Sequence, residues 1–417
     1  MAILRTKIRR SAVVIVAAVL VFAACSSDNE SSTSASSASG GQGGASSAPK
    51  ATGTPINIGL IGSFTGSQAS SSNQGQTVGP AWERYVNEQL GGINGHPVKV
   101  IAEDDGGDPA KAQAAEKKLV DGDKVAAIIV SSDNLITAYS DDAIAKGVPL
   151  ISGTANQQDW YTKQNVFVTV TDVLSGLKAQ VAVAKDFGKA TKFADLYCSE
   201  VAACQQADPP LKGAAEAAGV GFTSIAISST ATSYTAECLQ LQQEGVDYVQ
   251  LNFTTAAAAK LVQDCQSQNY NPTYGSSEQA IGKDLLDIDG IKVFGPAYAF
   301  PSVADAPAAQ EFRDAMGKFA KDDNWKEGTG SFTWSGLEML RKALASAPAA
   351  SSPVAAKDVV TGLSTVSSEN LGGLLANKVT YTSGKTDSFG SHPCYFVVGI
   401  DGGKTIAPAN LDAKCVS

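Results

Sequence analysis

Histidine is scarce in this chain, and the scarcity narrows the chemistry that the chain can perform. His96 and His392 are the two histidines among 417 residues, and each lies in a stretch rich in glycine, proline or serine. A catalytic triad that relies on histidine is therefore not expected. The six cysteines beyond residue 25 have spacings that do not match zinc sites, and most lie far in sequence from either histidine. The sequence predicts no metal site.

Nucleotide-binding motifs are missing as well, although a Gly/Ser-rich loop follows the first predicted strand. Residues 59–62 begin and end with glycine but satisfy neither GxGxxG nor GxxxxGK[ST]. No cofactor is expected. Asp104 and Asp105 are interpreted as solvated charges; a calcium site formed by them and Asp108 is an alternative that lacks the EF-hand spacing. The protein is not expected to be an enzyme, and an exported α/β enzyme stays an alternative.

Basic side chains are too few to balance the acidic ones. The formal net charge is −9, and it becomes −13 if residues 1–24, with four basic and no acidic side chains, are removed. An acidic chain without a basic block is not expected to bind nucleic acid. It is not expected to bind anionic lipid peripherally either. Attachment to a membrane would have to come from a lipid anchor.

No hydrophobic run is long enough to cross a membrane, and the N-terminal one has the length of a signal peptide. Basic residues precede the 13 apolar or small residues 12–24, whereas a spanning helix needs about 20. Cys25 follows two alanines and resembles the lipidated cysteine of bacterial lipoproteins, although Phe22 replaces the usual leucine. Residues 26–54 contain ten serines and no apolar periodicity. We expect a signal peptide 1–24, a disordered tether 25–54 and an extracytoplasmic, lipid-anchored protein; an ordinary secretory peptide is the alternative.

The remaining cysteines are even in number, which indicates disulfides in an exported chain. Six cysteines allow fifteen connectivities. Their order along the chain favours three local pairs, which are Cys198 with Cys204, Cys238 with Cys265, and Cys394 with Cys415.

Strand and helix patterns alternate along the rest of the chain. β-Branched or continuous apolar runs at 56–61, 98–102, 125–130, 148–152 and 166–170 alternate with helical periodicity, and the Asp108-Pro109 pair indicates the start of one helix. The same rhythm continues, with a further strand at 193–197, to residue 298. Such alternation predicts parallel sheets covered by helices. Two Rossmann-like lobes explain two βα halves; an eight-stranded barrel is the alternative. We expect one lobe from 55–172 and 300–350, and the other from 173–299 and 351–417.

Several segments resemble one family of binding proteins. Residues 91–98 read GGINGHPV and are followed by Asp104, Asp105 and the Asp108-Pro109 pair, much as in periplasmic solute-binding proteins of the branched-chain-amino-acid type. The resemblance implies a type I periplasmic-binding-protein fold, with two lobes joined by hinge strands. It further implies a monomer that captures a small polar molecule, such as an amino acid, amide or organic acid, and delivers it to an ABC permease. A ligand-sensing receptor domain of the same fold is the alternative.

Three loops rich in hydroxyl groups follow strands of the first half, where parallel sheets bind ligands. The resemblance places an aromatic residue and an acid on the opposite wall. It also puts an ordinary branched-chain ligand in question, because residues 198–204 replace the usual tyrosine-glycine element. The register at 154–156 stays open, since Asn156 could occupy the threonine position. The expected ligand-binding residues are Ser63, Phe64, Thr65, Ser131, Ser132, Thr154, Ala155, Asn156, Phe253 and Glu278.

Overall fold

The structure is a computed structural model of the chain. It describes residues 50–417 except 67, 133–134, 201, 347–351, 383–384 and 387–391. The predicted signal peptide, the lipidation of Cys25 and most of the tether therefore lie outside the described residues. Within the described part, no helix is long and apolar enough to cross a membrane.

The first sheet consists of parallel strands in the order β2-β1-β3-β4-β5. β1 is seven residues long and almost fully buried, as its run of isoleucine and leucine predicts. The strands are β1 (Ile56–Gly62), β2 (Val98–Asp104), β3 (Ala127–Val130), β4 (Leu150–Ile151) and β5 (Val166–Phe167).

The second sheet has the order β14-β13-β10-β9-β8-β6-β7, with β15 paired to β13. Strands β6 to β10 are parallel to one another, and the later strands extend the sheet in antiparallel fashion. Its strands are β6 (Lys192–Cys198), β7 (Gly221–Ile227), β8 (Tyr248–Asn252), β9 (Thr273–Gly275), β10 (Val293–Ala297), β13 (Cys394–Asp401), β14 (Lys404–Ile406) and β15 (Lys414–Cys415). A separate hairpin pairs β11 (Tyr381–Thr382) with β12 (Lys385–Thr386).

Helices connect the strands in both halves. Asp108 caps one of them as predicted, because its carboxylate accepts the N–H groups of Ala110 and Lys111. The helices are α1 (Ala69–Ser72), α2 (Gly75–Tyr85), α3 (Pro109–Lys117), α4 (Ser140–Ala145), α5 (Asp159–Thr162), α6 (Val173–Asp186), α7 (Ala202–Gln206), α8 (Asp208–Ala218), α9 (Thr235–Gln243), α10 (Thr255–Ser267), α11 (Lys283–Leu286), α12 (Pro307–Phe319), α13 (Gly330–Ser346) and α14 (Ala356–Leu363).

The two sheets confirm the predicted α/β class and the two-lobed arrangement, and they exclude the single barrel. Each parallel sheet contributes its own set of carboxyl-end loops. Three segments run side by side where the chain passes between the sheets. The N–H of Thr171 donates to the carbonyl of Tyr298 at 3.3 Å, and the N–H of Asp172 donates to the carbonyl of His392 at 3.2 Å. These residues form the hinge, defined here as 168–172, 298–301 and 392–394.

Helix α14 packs against α13, a helix that itself packs on β3 and β4 of the first sheet. A Cβ atom added at Gly362 would lie 2.4 Å from the carbonyl oxygen of Ala343, so glycine permits this close approach. The helix was expected in the second lobe as part of 351–417. We propose instead that α14 and the β11–β12 hairpin, which packs on β5, belong to the first lobe, so that the chain enters the second lobe at 392–394. The other lobe boundaries are kept as proposed from the sequence.

The structure contains the three disulfides that cysteine order predicts. Their Cα–Cα separations are 5.7 Å for Cys198–Cys204, 5.0 Å for Cys238–Cys265 and 3.9 Å for Cys394–Cys415. The first joins the end of β6 to α7, the second joins α9 to α10, and the third fastens β15 to β13. Each connects neighbouring elements of the second half.

Candidate functional site

Two adjacent carboxylates hold the loop that follows β1. Asp104 accepts the N–H groups of Phe64 at 2.8 Å and Thr65 at 3.1 Å, and it also accepts the hydroxyl of Thr65 at 2.5 Å. Asp105 accepts the hydroxyl of Ser63 at 2.7 Å. Parallel pairing of β1 with β2 brings these carboxylates beside the loop. They are positioning groups for the predicted ligand loop.

The interpretation as a solvated charge is wrong for Asp105, which is only 1% exposed; Asp104 is partly exposed and bonded to the loop. Burial raises the pKa of Asp105, outweighing the hydrogen bonds from Ser63 and Gly107. For Asp104, burial also acts to raise the pKa, but hydrogen bonds from the loop outweigh it and the pKa is lowered. Within the described residues, no group of three or more His, Cys, Asp or Glu side chains could hold a metal.

The loops after β1 and β3 meet at the carboxyl edge of the first sheet. The N–H of Ser63 donates to the hydroxyl oxygen of Ser132 at 3.0 Å, so these two predicted residues are brought together. Ser131 instead faces α13, where its hydroxyl lies 3.0 Å from that of Thr333. The ring of Phe64 lies against the backbone of Gly75, since an added Cβ there would be 3.0 Å from it. Ser131 and Phe64 therefore contribute packing within the first lobe.

The loop after β4 supplies the third group of predicted residues. Thr154 is buried, and its hydroxyl oxygen accepts the side-chain amide of the exposed Asn156 at 2.9 Å. Ala155 is buried with a φ of 55°, and its carbonyl accepts the hydroxyl of Tyr161 at 3.0 Å. Gly153 is needed here because a Cβ would lie 2.4 Å from the ring of Trp160. The loop turns tightly and presents its polar groups at the sheet edge.

In the second half, Phe253 and Glu278 follow β8 and β9, and both are buried. Oε1 of Glu278 accepts the backbone N–H of Ala299 at 2.9 Å and also that of Tyr298, so the carboxyl is tied to the hinge. Burial raises the pKa of Glu278 to about 8, although both N–H groups favour the charged form. Its Oε2 atom has no hydrogen-bond partner among the described residues.

Glu278 lines a cavity of about 20 Å³ that both halves of the chain enclose. That volume suits water, which needs roughly 10–15 Å³, and is far too small for an amino acid. The lining residues comprise a short segment before α13, the hinge and parts of the second half; they are Glu278, Ile281, Phe300, Pro301, Ser302, Trp325, Lys326, Glu327, Gly328, Ser331, Val398 and Thr405.

The two halves also contact each other directly beside this cavity. The hydroxyl oxygens of Ser71, in α1, and Thr255, at the start of α10, are 3.3 Å apart. The carboxyl of Glu327 lies against the backbone of Gly282 across the same boundary. A Cβ at Gly282 would lie 2.9 Å from a carboxyl oxygen of Glu327. The two sets of loops therefore stand in a closed arrangement.

Sequence reasoning missed most of the residues that enclose the cavity. Trp325, Lys326 and Glu327 lie far along the chain from both groups of predicted loops. Phe300 follows a predicted strand that ends at residue 298, and an aromatic residue at that strand end was the signal that could have indicated it. Nothing local in the sequence indicated that Glu278 would bond to the hinge.

Solved structures with the same architecture come from several bacteria. An extracellular ligand-binding receptor from Verminephrobacter eiseniae is 16% identical with a TM-score of 0.69, covering 85% of this chain and all of that one. LivJ from Streptococcus pneumoniae, solved in complex with isoleucine, is 16% identical with a TM-score of 0.66, over 87% of this chain and 99% of that one. A solute-binding protein from R. palustris, in complex with benzoate, is 18% identical with a TM-score of 0.65, over 87% of this chain and 98% of that one. At these identities the likeness establishes the fold.

Sequence comparison establishes the family. No curated protein sequence matches the chain. A family model described as periplasmic binding protein matches residues 55–404, which is most of the chain and includes the parallel strands of both sheets. This match confirms the resemblance carried by residues 91–98 and their surroundings, and it assigns the chain a role in extracytoplasmic solute binding without catalysis. The chain belongs to the periplasmic binding protein family.

Proposed function

We propose that this protein is a lipid-anchored solute-binding protein that captures a small polar molecule between its two lobes and delivers it to an ABC permease. The observation that carries the proposal is the shared cavity, because Glu278 of the second half and Trp325–Glu327 of the first half line the same space beside the hinge. Parallel α/β sheets bind ligands at their strand carboxyl ends. Here two such edges face each other.

Capture requires the lobes to open. The cavity of about 20 Å³ cannot admit an amino acid, and the loops around it are joined by the contact between Ser71 and Thr255. Rotation at the hinge would separate the loops while each sheet stays rigid. A ligand that contacts both lobes would then favour the closed arrangement by its differential affinity for that state.

The first lobe would bind the polar end of the ligand. Ser132 and Thr154 are buried hydroxyl residues at the edge of the sheet, and the loop beginning at Ser63 is held beside them by Asp104 and Asp105. Such hydroxyls and loop amides suit a carboxylate or carbonyl. We keep Thr65, Ala155, Asn156 and Phe253 as proposed contacts, and assign Ser131 and Phe64 to support the loops.

The cavity between the lobes would bind a positive charge. Glu278 and Glu327 line one cavity with the aromatic residues Phe300 and Trp325. Lys326 lines it too, but its ammonium is 2.8 Å from the carboxylate of Asp323. Two carboxyls with aromatic neighbours suit an ammonium group on an apolar body. We therefore propose an amino acid or a related ammonium-bearing ligand.

A thermal-shift panel tests this assignment. It should include L-isoleucine and benzoate, the compounds bound by LivJ and the R. palustris protein, with further amino acids, amides and organic acids. A ligand at 100-fold its Kd stabilises the folded protein by about 2.7 kcal/mol, which gives a shift of several degrees. Saturable binding with no chemical change in the ligand is expected. If no compound binds, or the bound compound is converted, the proposal is wrong.

Adjacent serines provide a matched pair for locating the site. Ser132→Ala should weaken binding by about 0.5–1.5 kcal/mol, the scale of one neutral hydrogen bond. Ser131→Ala should leave affinity almost unchanged but lower stability, because its hydroxyl faces Thr333. Isothermal titration and urea denaturation would separate the two effects. The opposite pattern would place Ser131, and not Ser132, in the ligand site.

Anchoring and delivery need separate tests. Cys25→Ala should release the protein from the membrane or leave the precursor uncut; mature variant in the membrane fraction would contradict the anchor. Delivery is tested by uptake of the identified ligand in cells that lack the protein. Uptake restored by the wild type supports transport, whereas unchanged uptake together with tight binding would favour a sensing role.

A further inference from the structure

The two carboxyl oxygens of Glu278 differ in their hydrogen bonding. Oε1 accepts two backbone N–H groups, those of Tyr298 and Ala299, both in the hinge. Oε2 is buried and has no hydrogen-bond partner among the described residues. The side chain is 7% exposed and lines the cavity between the lobes. The carboxyl thus touches the hinge with one oxygen while the other has its bonding capacity unused.

Among the described residues around the cavity, no cationic side chain pairs with Glu278. Lys326 is paired with Asp323 at 2.8 Å. Burial raises the pKa of Glu327 as well. α1 and β10, which pack against the Glu278–Ala280 turn, carry no ionisable side chain. Burial outweighs the two N–H bonds and raises the pKa of Glu278 to about 8.

We propose that ligand capture is coupled to proton release at Glu278: the closed, ligand-free protein holds this carboxyl neutral, and a ligand ammonium at Oε2 displaces the proton. The inference rests on the proposed function, since it takes the cavity beside Glu278 as part of the ligand site. The proton leaves Oε2 for solvent, and the ammonium takes its place as the group that faces the carboxylate.

Ionisation would also act on the hinge. A charged carboxylate accepts hydrogen bonds more strongly than a neutral acid, so the bonds from Tyr298 and Ala299 to Oε1 strengthen when the proton leaves. Both donors lie where the chain passes between the lobes. A ligand that ionises Glu278 would therefore fasten the hinge in the arrangement that encloses it.

The number of protons released per bound ligand follows from the pKa of Glu278. With a pKa of about 8, roughly 0.9 of the molecules carry the proton at pH 7 and roughly 0.1 at pH 9. Binding of an ammonium ligand should release about those amounts. The affinity should rise roughly tenfold between pH 6 and pH 7 and level off above pH 8.

Isothermal titration of the full folded protein with L-isoleucine, in buffers with different ionisation enthalpies, counts the protons released. Glu278→Gln keeps an acceptor for the hinge N–H groups but has no proton to lose, so its release should fall to zero. Glu116→Gln is the matched control: Glu116 is a buried carboxyl of α3 that does not line the cavity, so this variant should release about as much as the wild type. Ammonium-ligand binding without proton release in the wild type would overturn the inference.

A ligand-free measurement separates this inference from the proposed function. Infrared difference spectra between wild type and Glu278→Gln should show a protonated carboxyl at pH 7 that disappears as the pH rises through about 8. An ionised Glu278 at pH 7 overturns the coupling even if isoleucine binds. If benzoate binds and no ammonium-bearing compound does, solute binding stands and the coupling falls. If nothing in the panel binds, the proposed function fails together with the coupling that rests on it.

Discussion

Asp195 should make the protein less stable at high pH, and Asp195→Asn should remove that weakness. Asp195 lies in the middle of β6 and is fully buried, opposite Gln250 of β8. Oδ1 accepts the side-chain amide of Asn252 at 2.7 Å, while Oδ2 has no partner among the described residues. Burial raises the pKa of Asp195 to about 7, helped by the charge of Asp208 and opposed by the bond from Asn252.

The direction of the pKa shift determines how the stability of the protein changes with pH. The folded-state pKa is above the unfolded value of about 3.9, so the unfolded chain loses the proton first. The stabilisation from neutral Asp195 is complete below about pH 4 and is lost as the pH rises through 7. A difference of about three pKa units corresponds to a loss on the order of 4 kcal/mol by pH 9.

Asp195→Asn preserves the shape of the side chain and is neutral at every pH. Its oxygen can still accept from Asn252, and its amide can donate to Oε1 of Gln250, which also has no partner among the described residues. If the two proteins are equally stable below about pH 4, the variant should exceed the wild type by about 1.5 kcal/mol at pH 5 and by about 4 kcal/mol at pH 9. With an m-value of about 3 kcal/mol/M, the urea midpoint would differ by roughly 1 M.

Urea denaturation with the disulfides intact, at pH 5, 7 and 9, measures this difference. Asp289→Asn provides the control, because Asp289 is exposed and its change should leave the pH dependence of stability unaltered. If wild type and Asp195→Asn lose stability in parallel between pH 5 and pH 9, Asp195 is ionised at neutral pH and the reasoning from burial is refuted.

Three further substitutions test the close packing at Gly75, the buried hydrogen bond of Trp82 and the disulfide Cys238–Cys265. Gly75→Ala would put a Cβ 2.4 Å from the hydroxyl oxygen of Ser131, so calorimetry should show destabilisation of about 1–3 kcal/mol, whereas Gly213→Ala, in open space, should not. Trp82→Phe deletes the 2.7 Å bond from the indole N–H to the buried Glu338, which Arg341 still binds, and should cost roughly 1–3 kcal/mol in urea denaturation; an unchanged urea midpoint would contradict this. Removing Cys238–Cys265 should cost about 2–4 kcal/mol, and an unchanged melting temperature would contradict this.

Secondary structure and family could be predicted from the sequence, because both depend on local signals. Short apolar runs predicted β1 and β6, and Asp108 indicated the start of α3. Residues 91–98 carried the resemblance that the family match confirms. Cysteine order also predicted the three disulfides, since each joins neighbouring elements. In each case the interacting residues are close in sequence or repeat with a short period.

The burial and the hydrogen-bond partners of the acidic residues became clear from the tertiary structure alone. Asp105 looked like a solvated charge, but parallel pairing of β1 with β2 places it under Ser63. Glu278 was predicted to face a ligand; its bonds to Tyr298 and Ala299 depend on how a turn meets the hinge about 20 residues away. The burial of a carboxyl and the identity of its partners arise from segments distant in sequence, and burial is what shifts its pKa. No local pattern encodes that environment.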